Sequence, residues 1–242
     1  MSAAISQPAI AVTDMLIGSV RPLGPNGEAS AIDKHRVAAP LQLTVTGLAG
    51  DEHGDLQHHG GVDKAVHHYP AEHYRAWSND FPQLRPTSLK IGAFGENFSS
   101  IGLTEANVCL GDVFRLGGAT LQVSQARQPC WKLNVRFNAP QMSRWVQDTG
   151  RTGWYYRVLN AGEVAPGDTL HLLERPHPDW PLARLLHCFY ADSLNEAELR
   201  AMTALAVLAP SWRRLAEQRL QSGQVEDWSR RLQGPGASEE TP

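Results

Sequence analysis

The alternation of polar and apolar positions changes period once along the chain. Up to about residue 175 the apolar runs are short and interleaved with polar residues, as in strands with one buried face. Ile10 to Val20 is β-branched and apolar and predicts a strand; Pro25–Gly27 (PNG) predicts a turn. Leu41–Thr46 alternates strictly, and Lys64–Tyr69 predicts another short strand. Ala71–Asn79 predicts a helix that stops near Phe81-Pro82. Val113–Ser124 holds two alternating runs around Gly117-Gly118, a hairpin. Pro140–Gln147 predicts a short helix ended by Gly150; Trp154–Leu159 and Thr169–Leu173 predict strands joined through Pro166-Gly167-Asp168.

Beyond Arg175-Pro-His-Pro178 the apolar period becomes helical. Leu182–Tyr190 is a first helix. Ser193 to Glu196 reads as a capping box, opening a second helix with Leu199, Met202, Leu205 and Leu208 on one face. Pro210 is expected to stop it, and Ser211 to cap a third helix with Trp212, Leu215 and Leu220 apolar. The expectation is an α+β chain: a mainly β domain over 1–176, three helices over 177–233, and a disordered Gly/Pro/Ser/Glu tail over 234–242.

Composition narrows this picture. A chain of 242 residues, 42% hydrophobic, can bury a real core. A net charge of −3 supplies no basic field for nucleic acid or a membrane surface. The three cysteines, Cys109, Cys130 and Cys188, form no CxxC pair, which favours a reducing compartment over a disulfide framework. The first basic residue is Arg21, so no signal-peptide n-region is present, and no uncharged apolar run approaches the ~20 residues of a membrane span. A soluble cytoplasmic protein is expected, with neither nucleic acid nor membrane as partner.

Candidate chemistry gathers in Gly47–Tyr69, GLAGDEHGDLQHHGGVDKAVHHY. This stretch carries five of the ten histidines, five glycines, four acidic residues and Lys64. Asp51, His53 and Asp55 fall at i, i+2 and i+4 and share a face in extended backbone; with His58 and His59 they offer nitrogen and oxygen ligands to a divalent metal. His67 and His68 are expected to line a partly solvated strand edge, and His73 a polar helix face. Gly60-Gly61, and Gly92 with Gly95, can point backbone N–H groups at an anion, with Lys34, Lys64 and Arg127 supplying charge. Neither loop matches a nucleotide-binding glycine motif. Cys130 lies between Arg127 and Lys132; cations favour the thiolate, the nucleophile and soft metal ligand. Cys109 and Cys188 have apolar neighbours and read as core. Arg151, between Gly150 and Gly153, is the ligand-like residue of its strand entry.

SAIDK (Ser30–Lys34), the Gly47–Tyr69 stretch, GENF followed by GLTE (Gly95–Glu105), RQPCWKLN (Arg127–Asn134) and GRTGWYYRV (Gly150–Val158) together resemble the signature of MOSC domain proteins, named for the C-terminal domain of molybdenum cofactor sulfurase. The likeness is greatest to the stand-alone bacterial branch with a three-helix extension, which includes a molybdenum-dependent reductase of N-hydroxylated purine bases. It implies a β-barrel and bound molybdopterin, with Cys130 as the molybdenum ligand. Lys34, His59, Lys64, Asn97, Arg127 and Arg151 would line the cofactor pocket, and His59 or Asp55 would deliver a proton. The implied reaction is reductive N–O cleavage to the amine, with electrons from a separate reductase, since three scattered cysteines hold no iron–sulfur cluster. One departure stands out: the family's loop commonly reads GDxQAD, where this chain has Gly50-Asp-Glu-His-Gly-Asp55. Two other readings stay open, a non-enzymatic carrier of the cofactor or of sulfur, and a zinc or manganese hydrolase built on Asp51, His53, Asp55 and His59.

Overall fold

The computed structural model describes residues 9–55 and 60–235. Its strands are β1 (Ile10–Ile17), β2 (Arg21–Leu23), β3 (Glu28–Ser30), β4 (His35–Arg36), β5 (Leu41–Thr44), β6 (Gly47–Leu48), β7 (Val66–Pro70), β8 (Phe98–Ser100), β9 (Val113–Leu116), β10 (Ala119–Ala126), β11 (Trp154–Asn160), β12 (Gly162–Val164) and β13 (Thr169–Glu174). Its α-helices are α1 (Glu72–Asp80), α2 (Lys132–Phe137), α3 (Met142–Thr149), α4 (Leu182–Tyr190), α5 (Glu196–Thr203), α6 (Pro210–Ser222) and α7 (Ser229–Gln233).

Seven strands close on themselves in the order β13-β9-β10-β11-β7-β8-β1, with β1 pairing back onto β13; β4 adds to β1. Closure leaves no open edge in the ring. All these pairings are antiparallel except β7 with β8. A parallel pair needs a crossover, and α1 lies within that connection. The two-residue turn at Gly117-Gly118 joins β9 to β10, with Gly117 at φ +51°, as its glycine pair predicts. A small sheet, β12-β5-β6, and the hairpin β2–β3 flank the barrel.

Alternation along β11 explains the core. Trp154, Tyr156 and Val158 point inward and are buried, while Tyr155 and Arg157 take the other face. One buried cluster runs from Val12 and Val66 in the barrel through Leu185, Phe189 and Met202 to Trp212 in the helices. A second, around Tyr69, Trp77, Phe94, Leu133 and Phe137, packs α1, α2 and α3 against the Gly92–Phe98 loop.

The helical region differs from expectation at its caps. The second helix begins at Glu196, and Asn195 caps it by accepting from the Glu198 N–H at 3.2 Å. Ser193 instead donates to the Phe189 carbonyl at the end of α4 (2.9 Å), which takes its hydroxyl out of reach of the next helix. Leu205 and Leu208 are buried but lie past the end of α5. Pro210 starts α6 rather than ending α5, since its missing N–H costs nothing at a first helical position. Ser211 makes no cap; its hydroxyl faces Gln125. A fourth helix, α7, follows the three predicted ones. Of the predicted tail, residues 236–242 lie outside the described residues.

Candidate functional site

The loop after β6 is fastened by one carboxylate. Asp51 has a fully buried side chain that accepts from the Gly18 N–H (2.8 Å), from the Lys34 ammonium (2.5 and 2.6 Å to its two oxygens) and from Asn97 Nδ2 (2.8 Å). Asn97 reaches further. Its Oδ1 accepts from the His67 N–H at 3.0 Å, and its Nδ2 also donates to the Leu16 carbonyl. Asp51 thus ties the loop to β1, β7 and the residue that opens β8. Burial lowers the Lys34 pKa and Asp51 opposes the drop. Glu96, also buried, folds the neighbouring glycine loop by accepting from Gly92 N–H, Phe94 N–H and the Tyr74 hydroxyl.

These anchors frame a solvent-open cleft. Lys34, Lys64, Arg127, Lys132, Asn97, His53, His67, Tyr155 and Cys130 are among its lining residues. Cys130 is half-buried, and its carbonyl accepts from Leu133 N–H as α2 begins. Lys64 sits on a single 3₁₀ turn, Val62–Lys64. Burial lowers its pKa, while the Cys130 sulfur, Asp55 and Asp63 favour its charged form; Lys64 and Cys130 both line the cleft. Arg127 leaves β10 with its N–H on the Gly153 carbonyl. Its side chain is buried, and Nη1 has no hydrogen-bond partner among the described residues. Burial pushes the His67 pKa well below the ordinary value, and Arg127 adds to the effect, so the ring is neutral. Burial raises the Tyr155 phenol, which keeps its proton.

Two glycines are required by geometry. Gly60 lies at φ +105°, and a Cβ there would meet the His53 ring at 3.0 Å. Gly54 packs against the β2–β3 hairpin so closely that a Cβ would lie 2.6 Å from the Ala29 carbonyl oxygen. The departure from the family's loop pattern at position 54 therefore has a steric reason: the hairpin leaves no room for a methyl group.

Of the residues expected from sequence, Lys34, Lys64, Asn97, Arg127 and Cys130 come together in the cleft. Asp55 stands beside Lys64. His59 and His58 lie outside the described residues. Arg151 does not reach the cleft: it pairs with Asp80 at 2.5 Å, lies over the Trp77 ring at 5.2 Å, and borders a separate depression near α4. Its place just before β11 aims it at α1 instead. His67 and His68 are fully enclosed rather than partly solvated, because β7 is a central strand between β11 and β8. His73 is not on a polar face; it pairs with buried Glu105 at 2.7 Å. The metal-hydrolase reading loses Asp51, whose oxygens are committed to Lys34, Asn97 and Gly18, and among the described residues no three His, Cys, Asp or Glu side chains converge as metal ligands. Tyr155 was legible but overlooked: strand alternation puts it opposite Trp154 and Tyr156.

Comparison with known proteins agrees with this geometry. Residues 55–171 match the MOSC domain model and residues 180–223 the YiiM-like, 3-alpha helix domain. The chain is 41% identical over 210 residues to Protein YiiM of Escherichia coli (strain K12), covering 87% of this chain and 93% of that one. It is 38% identical over 194 residues to a protein named Reductase from Gibberella moniliformis, covering 80% of this chain and 34% of that longer one. The crystal structure of YiiM from Escherichia coli superposes with a TM-score of 0.80 at 35% identity, over 94% of this chain and all of that one.

Proposed function

The chain belongs to the MOSC family, in the form that carries the YiiM-like three-helix domain, and on that premise we propose that it is a molybdenum-cofactor-dependent reductase of N-hydroxylated compounds, N-hydroxylated purine bases among them. The carrying observation is the pairing of one soft thiol, Cys130, with Lys34, Lys64 and Arg127 in a single cleft. The residues fit a phosphate-bearing, thiolate-ligated group. Arg127 Nη1 is a buried donor without a partner among the described residues, and such a group is costly unless something accepts from it.

In this reading Cys130 holds molybdenum, a soft ligand for a metal already bound by dithiolene sulfurs. Lys34, Lys64 and Arg127 hold the phosphate; Asn97, whose amide donors are committed to Asp51 and the Leu16 carbonyl, can offer only its Oδ1 to a pterin N–H. When bound, the cofactor supplies two-electron redox chemistry. The protein orients it, and the Asp51 anchor keeps Lys34 and Asn97 in register. His67 remains a neutral hydrogen-bonding group. Asp55 beside Lys64, with His59, is the proposed proton source. The overall change consumes two electrons and two protons per N–O bond and releases the amine and water. A separate reductase supplies the electrons, in a reducing cytoplasmic setting that keeps the Cys130 thiol reduced. Among the described residues no helix is long and apolar enough to cross a membrane.

Turnover of a hydroxylaminopurine by cofactor-loaded protein with a chemical electron donor tests this. Amine formation at catalytic rates is expected. Tight cofactor binding without turnover would replace the reductase reading with that of a carrier.

A further inference from the structure

The chain returns to its cysteine after the three-helix region is complete. Helix α6 ends at Gly223, which takes the left-handed conformation at φ +64°. Arg219, buried on α6, then clamps the next turn through Glu226 (2.7 and 2.9 Å) and the Phe189 carbonyl (2.9 Å). Trp228 Nε1 donates to the same Glu226. This turn sends α7 back to the barrel, past the end of the matched helical domain at residue 223.

There one residue grips both peptide groups that flank Cys130. The Arg231 carbonyl accepts from the Trp131 N–H at 2.7 Å. The Arg231 guanidinium donates to the Pro129 carbonyl at 2.7 Å and to Gln147 Oε1 at 2.6 Å. Neighbouring contacts complete the clasp. Buried Leu232 offers its carbonyl to Asn134 Nδ2 (2.7 Å) and Ser143 Oγ (2.8 Å). Gly234 lies so close to the Trp131 ring that a Cβ would meet it at 3.2 Å.

We infer that Arg231 is a positioning residue for Cys130, and that Trp228–Gly234 is a clasp which fixes where the sulfur stands in the cleft. A thiolate ligand contributes most when its backbone is held before the metal arrives, since ordering then costs nothing at binding. Bonds from a charged guanidinium to two fixed acceptors are suited to that task, and a lysine cannot span both. The consequence for molybdenum retention rests on the proposed role of Cys130; the clasp itself does not.

The test therefore uses cofactor-free, full-length protein. Alkylation rates of the three cysteines are followed separately by peptide mass spectrometry in wild type, Arg231→Ala, Arg231→Lys and Arg184→Ala. Buried Cys109 and Cys188 are internal references. Arg184→Ala breaks the Arg184–Glu198 pair as a control for loosening away from α7; because the Cys188 thiol donates to the same Glu198, Cys109 alone is the reference in that variant. Arg231→Ala is expected to accelerate Cys130 alkylation about tenfold, on the scale of a charged hydrogen bond, with Arg231→Lys between it and wild type and the references unchanged. A wild-type Cys130 rate in a folded Arg231→Ala or Arg231→Lys protein overturns the inference. So does equal acceleration of all three cysteines, or the same effect from Arg184→Ala. In loaded protein, Arg231→Ala is expected to lose molybdenum faster on dialysis. If Cys130 reactivity shifts but molybdenum retention does not, the clasp stands and the ligand role of Cys130 falls.

Discussion

Asp51 carries more of the site than any residue picked for chemistry. It is buried and meets an ammonium, an amide and a backbone N–H at once. Removing one partner of such a pair leaves the other charge uncompensated, at a cost of about 3–5 kcal/mol. Asp51→Asn is expected to lower unfolding free energy by roughly 3 kcal/mol in urea titration, with Lys34→Met in the same chain recovering part of the loss. Burial also sets a pH dependence. His68, stacked on Trp154 and bonded to Ser100, has its pKa lowered to about 3, and His67 is lowered too. A depressed pKa means the unfolded chain binds the proton more tightly. The stability these two rings give is complete above their unfolded pKa, ~6.5, and is lost progressively as pH falls below it, for His68 down to about 3. Urea midpoints are expected to drop between pH 7 and pH 4, with a slope of up to about 1.4 kcal/mol per pH unit for each ring.

At the level of elements, the helical caps make the sharpest local claim. Asn195→Ala is expected to cost about 1 kcal/mol, as loss of a side-chain cap does, and Ser211→Ala within about 0.5 kcal/mol, as at surface sites without a special role. Chemical denaturation of both variants checks this; a loss of about 1 kcal/mol from Ser211→Ala would restore it as a helix cap. Alternation made β5 and the β9–β10 hairpin legible, and short runs of β-branched, aromatic and apolar residues did the same for β1, β11 and β13. The short pieces were not legible. β4 and β6 span two residues and β2, β3, β8 and β12 three; only the turn between β2 and β3, at Pro25–Gly27, was marked in the sequence, and the strands themselves exist because tertiary neighbours pair with them. Helix α2 was hidden because Trp131 and Lys132 read as flanks of the cysteine. The cap error has the same origin: Ser193 and Asn195 both satisfy local rules, and α4, by offering the Phe189 carbonyl, decides between them.

Across the whole molecule, barrel and helices share one apolar cluster, and the last helix brings the chain back onto the loop that holds Cys130. Five site residues quoted from ordered sequence blocks, Lys34, Lys64, Asn97, Arg127 and Cys130, meet in the cleft. Arg151 does not, because spacing in sequence does not say which way a residue at a strand entry faces. Asp51 and Arg231 were invisible as anchors, since their partners lie far away along the chain. The central claim is that this assembly holds molybdenum through Cys130. The direct measurement is metal content of wild type and Cys130→Ser purified from a host that makes the cofactor. Molybdenum near one per chain in wild type, and close to none in the variant, is the expected result. Full molybdenum content in folded Cys130→Ser would contradict the account.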